Sequence, residues 1–426
     1  MSPPDLSLLR TRRLGPMFAV QFLGAFNDNL LKFALLFMAN FSIFAAAPEK
    51  AEQLAVVATG LFILPYFLFS ALAGQIADRV DKALLVRVIK CVEVPIMALA
   101  LLGFWLSSVT ILLVCLLLMG THSSFFGPVK YSILPQHLRR EEIMGGTGLV
   151  EGGTFLAILG GQLLAGLIDP QVAGVTGLVL AVAGLAASFS VPTAPPATSK
   201  KAFDLNLFRG TWHVLRSARQ QRSVWLAILA ISWFFTAGAV LVSEFAPLVS
   251  GRFGGNQSVV NLFLAVFSVM IAVGSLAVNR LLKGEVSVRF VPVSALGMAA
   301  GLIDLWLSAR GFGTPLDQAG IAEFLAHPGA WRPLTDVVLI AFSGGMFIVP
   351  LYAVLQVDTA PGERSQAIAA NNIVNAAVTV VVVGLVSAML AGGMDAGGVV
   401  GALGIVTLAV ALISLYGFRH PPLRAP

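Results

Sequence analysis

The stretch 94–127, VPIMALALLGFWLSSVTILLVCLLLMGTHSSFFG, contains no Asp, Glu, Lys or Arg. Cut at residue 108, it supplies parts of two spans, 84–107 and 109–134, each longer than the roughly 20 helical residues that cross a bilayer. Charge-free blocks of the same kind recur at 53–77, 170–199, 223–243, 253–279, 337–357, 365–394 and 396–418. The composition agrees. Of 426 residues, 57% are hydrophobic and 11% charged, with a mean hydropathy of +0.88, against roughly 25% charge in soluble domains. Disorder, a nucleic-acid-binding domain and a disulfide-built secreted module are excluded. Cys91 and Cys115 both fall in apolar segments and read as buried free thiols, without metal or redox chemistry.

Charge clusters, Pro and Gly divide the chain into twelve spans: 15–44, 54–77, 84–107, 109–134, 144–168, 171–193, 223–249, 258–282, 288–309, 334–357, 365–391 and 396–418. Continuous apolar runs of this kind are helices, not the alternating strands of a barrel. Alternating connections carry the basic residues: Arg10, Arg12 and Arg13; Arg79, Lys82, Arg87 and Lys90; Arg139 and Arg140; Lys200, Lys201, Arg209, Arg216, Arg219 and Arg222; Arg280, Lys283 and Arg289; Arg364; Arg419 and Arg424. These are 21 of the 27 Lys and Arg, against four (Lys50, Arg252, Arg310, Arg332) on the other side. The bias places both termini in the cytoplasm. The N-terminal tail is basic but lacks a cleavage site, so it reads as a cytoplasmic tail.

The longest basic connection, 194–222, separates a half at 1–193 from a half at 223–426. Within it Phe208, Trp212 and Leu215 recur at helical spacing beside Arg209, Arg216 and Arg219, which predicts a short helix lying on the inner membrane surface. A second short helix is expected around 318–326. The halves repeat: Gly127-Pro128-Val-Lys130-Tyr131 precedes Glu151 as Val349-Pro350-Leu-Tyr352-Ala-Val-Leu-Gln356 precedes Asn375, with 23 positions from Pro128 to Glu151 and 25 from Pro350 to Asn375. Two repeated six-span halves point to a secondary transporter that rocks one half against the other.

Polar groups at bilayer depth are costly, and each is a candidate site residue. Gln21, Phe26, Asp28, Asn29 and Lys32 cluster in the first span, where the four-residue spacing lets Asp28 and Lys32 pair. Glu151 lies among Gly148, Gly152 and Gly153, and its counterpart region carries Asn371, Asn372 and Asn375. Lys130 sits near a span end, where it either snorkels or meets an anion beside Tyr131. Glu93, Glu244 and Asp304 read as ion-paired or interfacial, and His122 as an interhelical hydrogen bond. After the second span, Gly74, Asp78, Arg79 and Lys82 form a gate-type loop, its basic residues in the cytoplasm. His137 beside Glu141 is the nearest approach to a catalytic pair and lacks a nucleophile, so the chain does not read as an enzyme.

The Gly74-x-x-Ala77-Asp78-Arg79-x-x-Lys82 loop in a six-plus-six chain resembles the loop signature of the major facilitator superfamily, departing from it at Val80-Asp81, where a Gly is usual. The first-helix run Gln21-Phe-x-x-x-Phe26-x-Asp28-Asn29, the Gly127-Pro128-x-Lys130-Tyr131-x-Ile-Leu-Pro135 motif, Glu151 and the Val349 to Gln356 run together resemble the bacterial lysophospholipid transporters. The resemblance implies an all-α, twelve-helix monomer in the bacterial inner membrane. It would need no cofactor or metal, bind no nucleic acid, and move lysophosphatidylethanolamine-type lipids from the outer to the inner leaflet. It also implies membrane lipids as surroundings, and a separate lysophospholipid acyltransferase and acyl-carrier-protein ligase as partners. Asp28 corresponds to the family's acidic residue in the first helix. The competing expectation is proton-coupled export of amphipathic drugs, with Asp28 or Glu151 as the proton carrier.

Overall fold

The computed structural model describes residues 5–196 and 204–418. Lys200, Lys201, Arg419 and Arg424, four of the residues used above to orient the chain, lie outside the described residues. Among the described residues the chain forms twelve long helices: α1 Gly15–Met38, α2 Pro48–Ala77, α3 Lys82–Trp105, α4 Val109–Ser132, α5 Ile143–Ala165, α6 Pro170–Ser188, α7 Arg222–Leu248, α8 Gln257–Leu282, α9 Val291–Gly311, α10 Trp331–Val357, α11 Arg364–Ala391 and α12 Ala396–Gly417. Eleven are long and apolar enough to cross a membrane. The other, α3, connects α2 to α4 and has the 24 residues that a crossing needs. Pairing of strands is limited to one isolated bridge, Gly255 with Ala319, among the described residues.

The 94–127 stretch divides as its length requires. Ser107 takes a left-handed conformation (φ 49°) and the Ser108 hydroxyl accepts from the Ile111 amide at 3.4 Å, which caps α4. Asp81 caps α3, accepting from Leu84 N at 3.0 Å, and also ties down Ala194 N at 2.9 Å. The α2 helix starts six residues before the expected 54, because Pro48 in its first turn and Glu49 beside it favour initiation outside the apolar run. The α4 helix stops at Ser132 and gives way to the short helix Leu134–His137. The two expected short helices form, at Leu207–Gln220 and Ile321–Ala326.

The packing repeats between halves. In the first, α1 packs on α5, α2 on α4, and α3 on both α4 and α6; in the second, α7 packs on α11, α8 on α10, and α9 on both α10 and α12. The halves meet through α2 with α11 and, by the same pseudo-symmetry, α8 with α5, and through α4 with α11. The apolar interior shows where this union lies. One cluster runs from Met17, Ala77, Val129 and Met144 into the second half at Ile228, Phe347 and Ile368, joining the halves near the ends that carry the chain termini, here called the terminal face. A separate cluster of Leu31, Leu35, Met97, Phe104, Leu116 and Ala173 fills the opposite end of the first half alone. Among the described residues the apolar union of the two halves is therefore at the terminal face, which it seals.

Close approach within the second half depends on Gly274, where an added Cβ would strike the Phe342 carbonyl oxygen of α10. Backbone cannot yield as a flexible side chain does. Gly274→Leu is expected to destabilise the protein by about 1–3 kcal/mol, while Gly60→Leu, with open space around it, stays within about 0.5 kcal/mol of wild type. Thermal unfolding in detergent checks both.

Candidate functional site

Asp28 lies about 20 Å along α1 from Gly15, at 1.5 Å per residue, and so near mid-depth. Its Oδ2 accepts from the Ser123 hydroxyl of α4 at 2.7 Å, and its Oδ1 has no hydrogen-bond partner. The expected pair with Lys32 does not form. Lys32 turns to the ring of Phe33, 5.9 Å from its centroid, and has no ion pair among the described residues. Helical spacing brought the two onto one face, but Ser123 supplies a shorter-range partner and Lys32 points past it. Asn29 donates back to Ala25 O at 2.8 Å, which occupies its amide within α1. Phe26 packs over Gly160 of α5.

On the terminal side of Asp28 a polar cluster joins α1, α4 and α5. Gln21 is buried, and its Oε1 lies 2.9 Å from the Thr154 hydroxyl. Lys130 donates to the same Thr154 oxygen at 3.3 Å and lies over the Tyr131 ring at 4.7 Å. It therefore points inward and does not snorkel. Glu151 is fully buried; Tyr131 donates its hydroxyl to Glu151 Oε1, and Oε2 is unpartnered. The Tyr131 ring stacks on Tyr352 of α10, centroids 4.0 Å apart and planes within 10°. The repeated Pro-plus-Tyr motifs thus meet face to face across the pseudo-twofold axis.

Three amides come from α11. Asn371 is buried beside the Tyr352 hydroxyl and makes no hydrogen bond of standard geometry. Asn372 lies against Gly127 of α4 with its Nδ2 unpartnered. Asn375 accepts from Thr379 at 3.4 Å, and Thr379 in turn meets Thr236 of α7 at 2.9 Å. Gln356 has its partner in the other half. It is buried and donates to Thr147 of α5 at 3.0 Å, so it bridges the halves at the terminal face.

The gate residues close that face. An added Cβ on Gly74 would come within 2.8 Å of both Ala369 Cβ and the Ser365 carbonyl, so only glycine lets α2 meet α11 here. One turn on, Asp78 accepts from Ser365 N at 3.1 Å, Gln366 N at 3.3 Å and Gln366 Nε2 at 3.2 Å, capping the N-terminus of α11 from the other half. Burial pushes the Asp78 carboxyl above the usual aspartate range, against the pull of these bonds. Ser365 also donates to Ser132 of α4 at 2.8 Å. Arg79 donates to Gln75 O at 2.8 Å, bracing the end of α2. Lys82, expected in the cytoplasm, is 1% exposed and lies within the charge field of Asp78 and Asp81. Nearby, Arg13 clamps Glu142 through two bonds of 2.5 and 2.8 Å, and this contact holds the Glu142 carboxyl below its ordinary value.

The sequence profile of the Major Facilitator Superfamily matches residues 17–383. The chain belongs to this superfamily. Among curated relatives of this facilitator, the lysophospholipid transporter LplT of Cronobacter sakazakii is 27% identical over 398 residues, 90% of each chain. LplT of Citrobacter koseri is 26% identical over 415 residues, 95% of each. Among solved structures, the human organic anion transporter MFSD10 superposes with a TM-score of 0.69 at 16% identity, covering 96% of this chain and all of the other.

One buried cluster in this facilitator escaped the sequence reading. Lys90, counted above among cytoplasmic residues, is fully buried in α3 and donates to Glu93 Oε2 at 2.5 Å. Asn27 of α1 donates to Glu93 Oε1 at 2.9 Å. His122 Nε2 approaches Glu93 Oε2 at 3.4 Å, and neither ring nitrogen makes the expected interhelical hydrogen bond of standard geometry. The signal was present: Lys90 and Glu93 stand three apart on one helix face within the run leading to 94–127. The expectation of an ion pair holds for Glu93 and for Asp304, which meets Arg332 at 2.6 Å. Glu244 has no ion pair among the described residues and lies four residues from the far end of α7, which leaves the interfacial alternative; Cys91, expected to be buried, is exposed. The Thr154, Ser123 and Thr147 contacts were also missed, being single hydroxyls in apolar helices.

Lys90→Met strands a buried carboxylate and is expected to cost about 3–5 kcal/mol of stability. Adding Glu93→Leu to Lys90→Met should recover most of that loss. A double-mutant cycle on thermal stability that shows the two changes merely adding would contradict the pairing.

Proposed function

We propose that this facilitator moves lysophospholipids of the lysophosphatidylethanolamine type across a bacterial inner membrane by alternating access. The observation that carries this reading is the placement of two opposite charges on one interior surface. Asp28 presents an unpartnered carboxylate oxygen at mid-depth, and Lys130 lies toward the terminal face, near enough to sense its charge. A zwitterionic head group presents the complementary pair: its ammonium to Asp28, its phosphate to Lys130. Gln21, Tyr131, Glu151, Tyr352 and the Asn371, Asn372 and Asn375 amides shape the remaining polar wall, and the apolar helices around them suit a single acyl chain. Lysophospholipid transport by the curated relatives supports the same substrate class.

In this reading the chain divides into halves at 1–193 and 223–426 joined by 194–222, and the terminal face is cytoplasmic. Burial of Lys82 and Lys90 removes them from the orienting set, yet the remaining basic residues still far outnumber the four on the far face. The sealed terminal face then corresponds to an outward-facing state, ready to take lipid from the outer leaflet. Delivery to the inner leaflet supplies a separate acyltransferase and acyl-carrier-protein ligase. The chain acts as a transporter without catalysing a reaction, as a monomer, and uses no cofactor.

Asp28→Ala is expected to lower uptake of labelled lysophosphatidylethanolamine about ten- to a hundredfold, the worth of a charge-assisted hydrogen bond. Uptake of lysophosphatidylglycerol, which lacks the ammonium, should fall much less. Wild-type rates for both lipids in Asp28→Ala and Asp28→Asn would refute the assignment. Drug export driven by a proton gradient would instead show itself as transport that collapses with the gradient and ignores added lysolipid.

A further inference from the structure

The helix Leu207–Gln220 lies across the seam between the halves. Its inner side, Gly210, Val214 and Ala218, is buried against α2 and α11. Just before it, Asp204 exchanges two hydrogen bonds with Gln75 of α2, Asp204 N donating to Gln75 Oε1 at 3.0 Å and Gln75 Nε2 donating to Asp204 O at 3.4 Å. At its other end the Ser217 hydroxyl donates to Glu363, the residue preceding α11, at 3.3 Å. One helix is thus fastened to both partners of the Gly74–Ser365 contact.

The rest of its surface falls into two stripes. Phe208 and Trp212, 80% and 62% exposed, project from one flank with Leu215 and Arg219 at the same helical phase. Arg209, His213 and Arg216 form the adjacent flank, and no acidic residue occurs from 207 to 220. Arg209 is held by Asp204 at 2.5 Å, and Arg219 lies over Trp225 of α7 at 4.9 Å. Two exposed aromatics beside a basic flank, on a helix running along the end of a membrane bundle, match the boundary between acyl chains and anionic head groups.

We propose that this helix binds anionic phospholipid head groups of the leaflet at the terminal face, and that this contact latches the two halves together. Phe208 and Trp212 enter the acyl boundary, Arg216 and Arg219 take the phosphates, and the bonds through Asp204 and Ser217 carry the restraint to α2 and α11. Loss of the anionic lipid frees the helix and loosens the seam.

Trp212 reports the contact directly. The full chain is placed in nanodiscs holding equal fractions of brominated phosphatidylglycerol or brominated phosphatidylethanolamine, and Trp212 emission is taken as the difference between wild type and Trp212→Phe. Each arginine enriches anionic lipid about fivefold, so phosphatidylglycerol should quench several-fold more. The Arg216→Gln/Arg219→Gln variant should equalise the two lipids. Equal quenching in wild type overturns the charge selection, and no quenching by either lipid overturns membrane contact and points to a protein partner. For the latch, spin labels at Leu84→Cys and Leu281→Cys, both exposed and on opposite halves, are measured in a Cys91→Ser, Cys115→Ser background. Exchanging phosphatidylglycerol for phosphatidylethanolamine should lengthen the distance distribution, and an unchanged distribution overturns the latch. Both readouts report lipid contact and helix separation, so they stand or fall independently of what is transported.

Discussion

Asp78 accepts three hydrogen bonds from the first turn of α11, and the arrangement of the two halves rests on this contact. A helix N-terminus carries unsatisfied amides and a partial positive charge. Buried between halves, it must be capped by a group that reaches it, and Gly74 provides that reach by letting the backbones of α2 and α11 touch. The bonds of Ser365 to Ser132 and of Gln356 to Thr147 lie on the same face. The restraint is concentrated at one end of two bundles that otherwise repeat each other's packing. Such polar contacts exchange for water at little net cost.

The same economy governs the interior. Glu93 pairs with Lys90 and accepts from Asn27, which fixes α1 against α3. Asn27 and Asp28 are neighbours in sequence, so that anchoring also sets the orientation in which Asp28 faces Ser123. Asp28 and Glu151 each keep one oxygen without a partner. Unpartnered carboxylate oxygens at bilayer depth are costly, which marks both residues as candidate contacts for a cationic group.

Much of this was readable in advance. Charge-free runs located the helices within a few residues, since twenty apolar residues have few other options in a membrane. The Pro-plus-Tyr repeat was legible, but the stacking of Tyr131 on Tyr352 was not, since alignment on Pro128 and Pro350 sets Tyr131 opposite Ala353. Side-chain partners were less legible. Asp28 and Lys32 share a helix face, but the choice of Ser123 is tertiary. Lys90 follows Arg87 in sequence and was grouped with it, although three residues of helix place it deeper in the bundle, where Glu93 compensates it. The bond of Gln356 to Thr147 of the other half is likewise tertiary and could not be read from its place in the motif.

The most direct measurement is the side from which the interior polar surface is reached. Asn375→Cys, in a chain with Cys91 and Cys115 changed to Ser, is exposed in sealed vesicles of known orientation to a membrane-impermeant maleimide added to one side at a time. A sealed terminal face and a lysophospholipid site require labelling from the far face, slowed several-fold by lysophosphatidylethanolamine. Labelling from the terminal face, or labelling from the far face that lysolipid leaves unchanged, would contradict them.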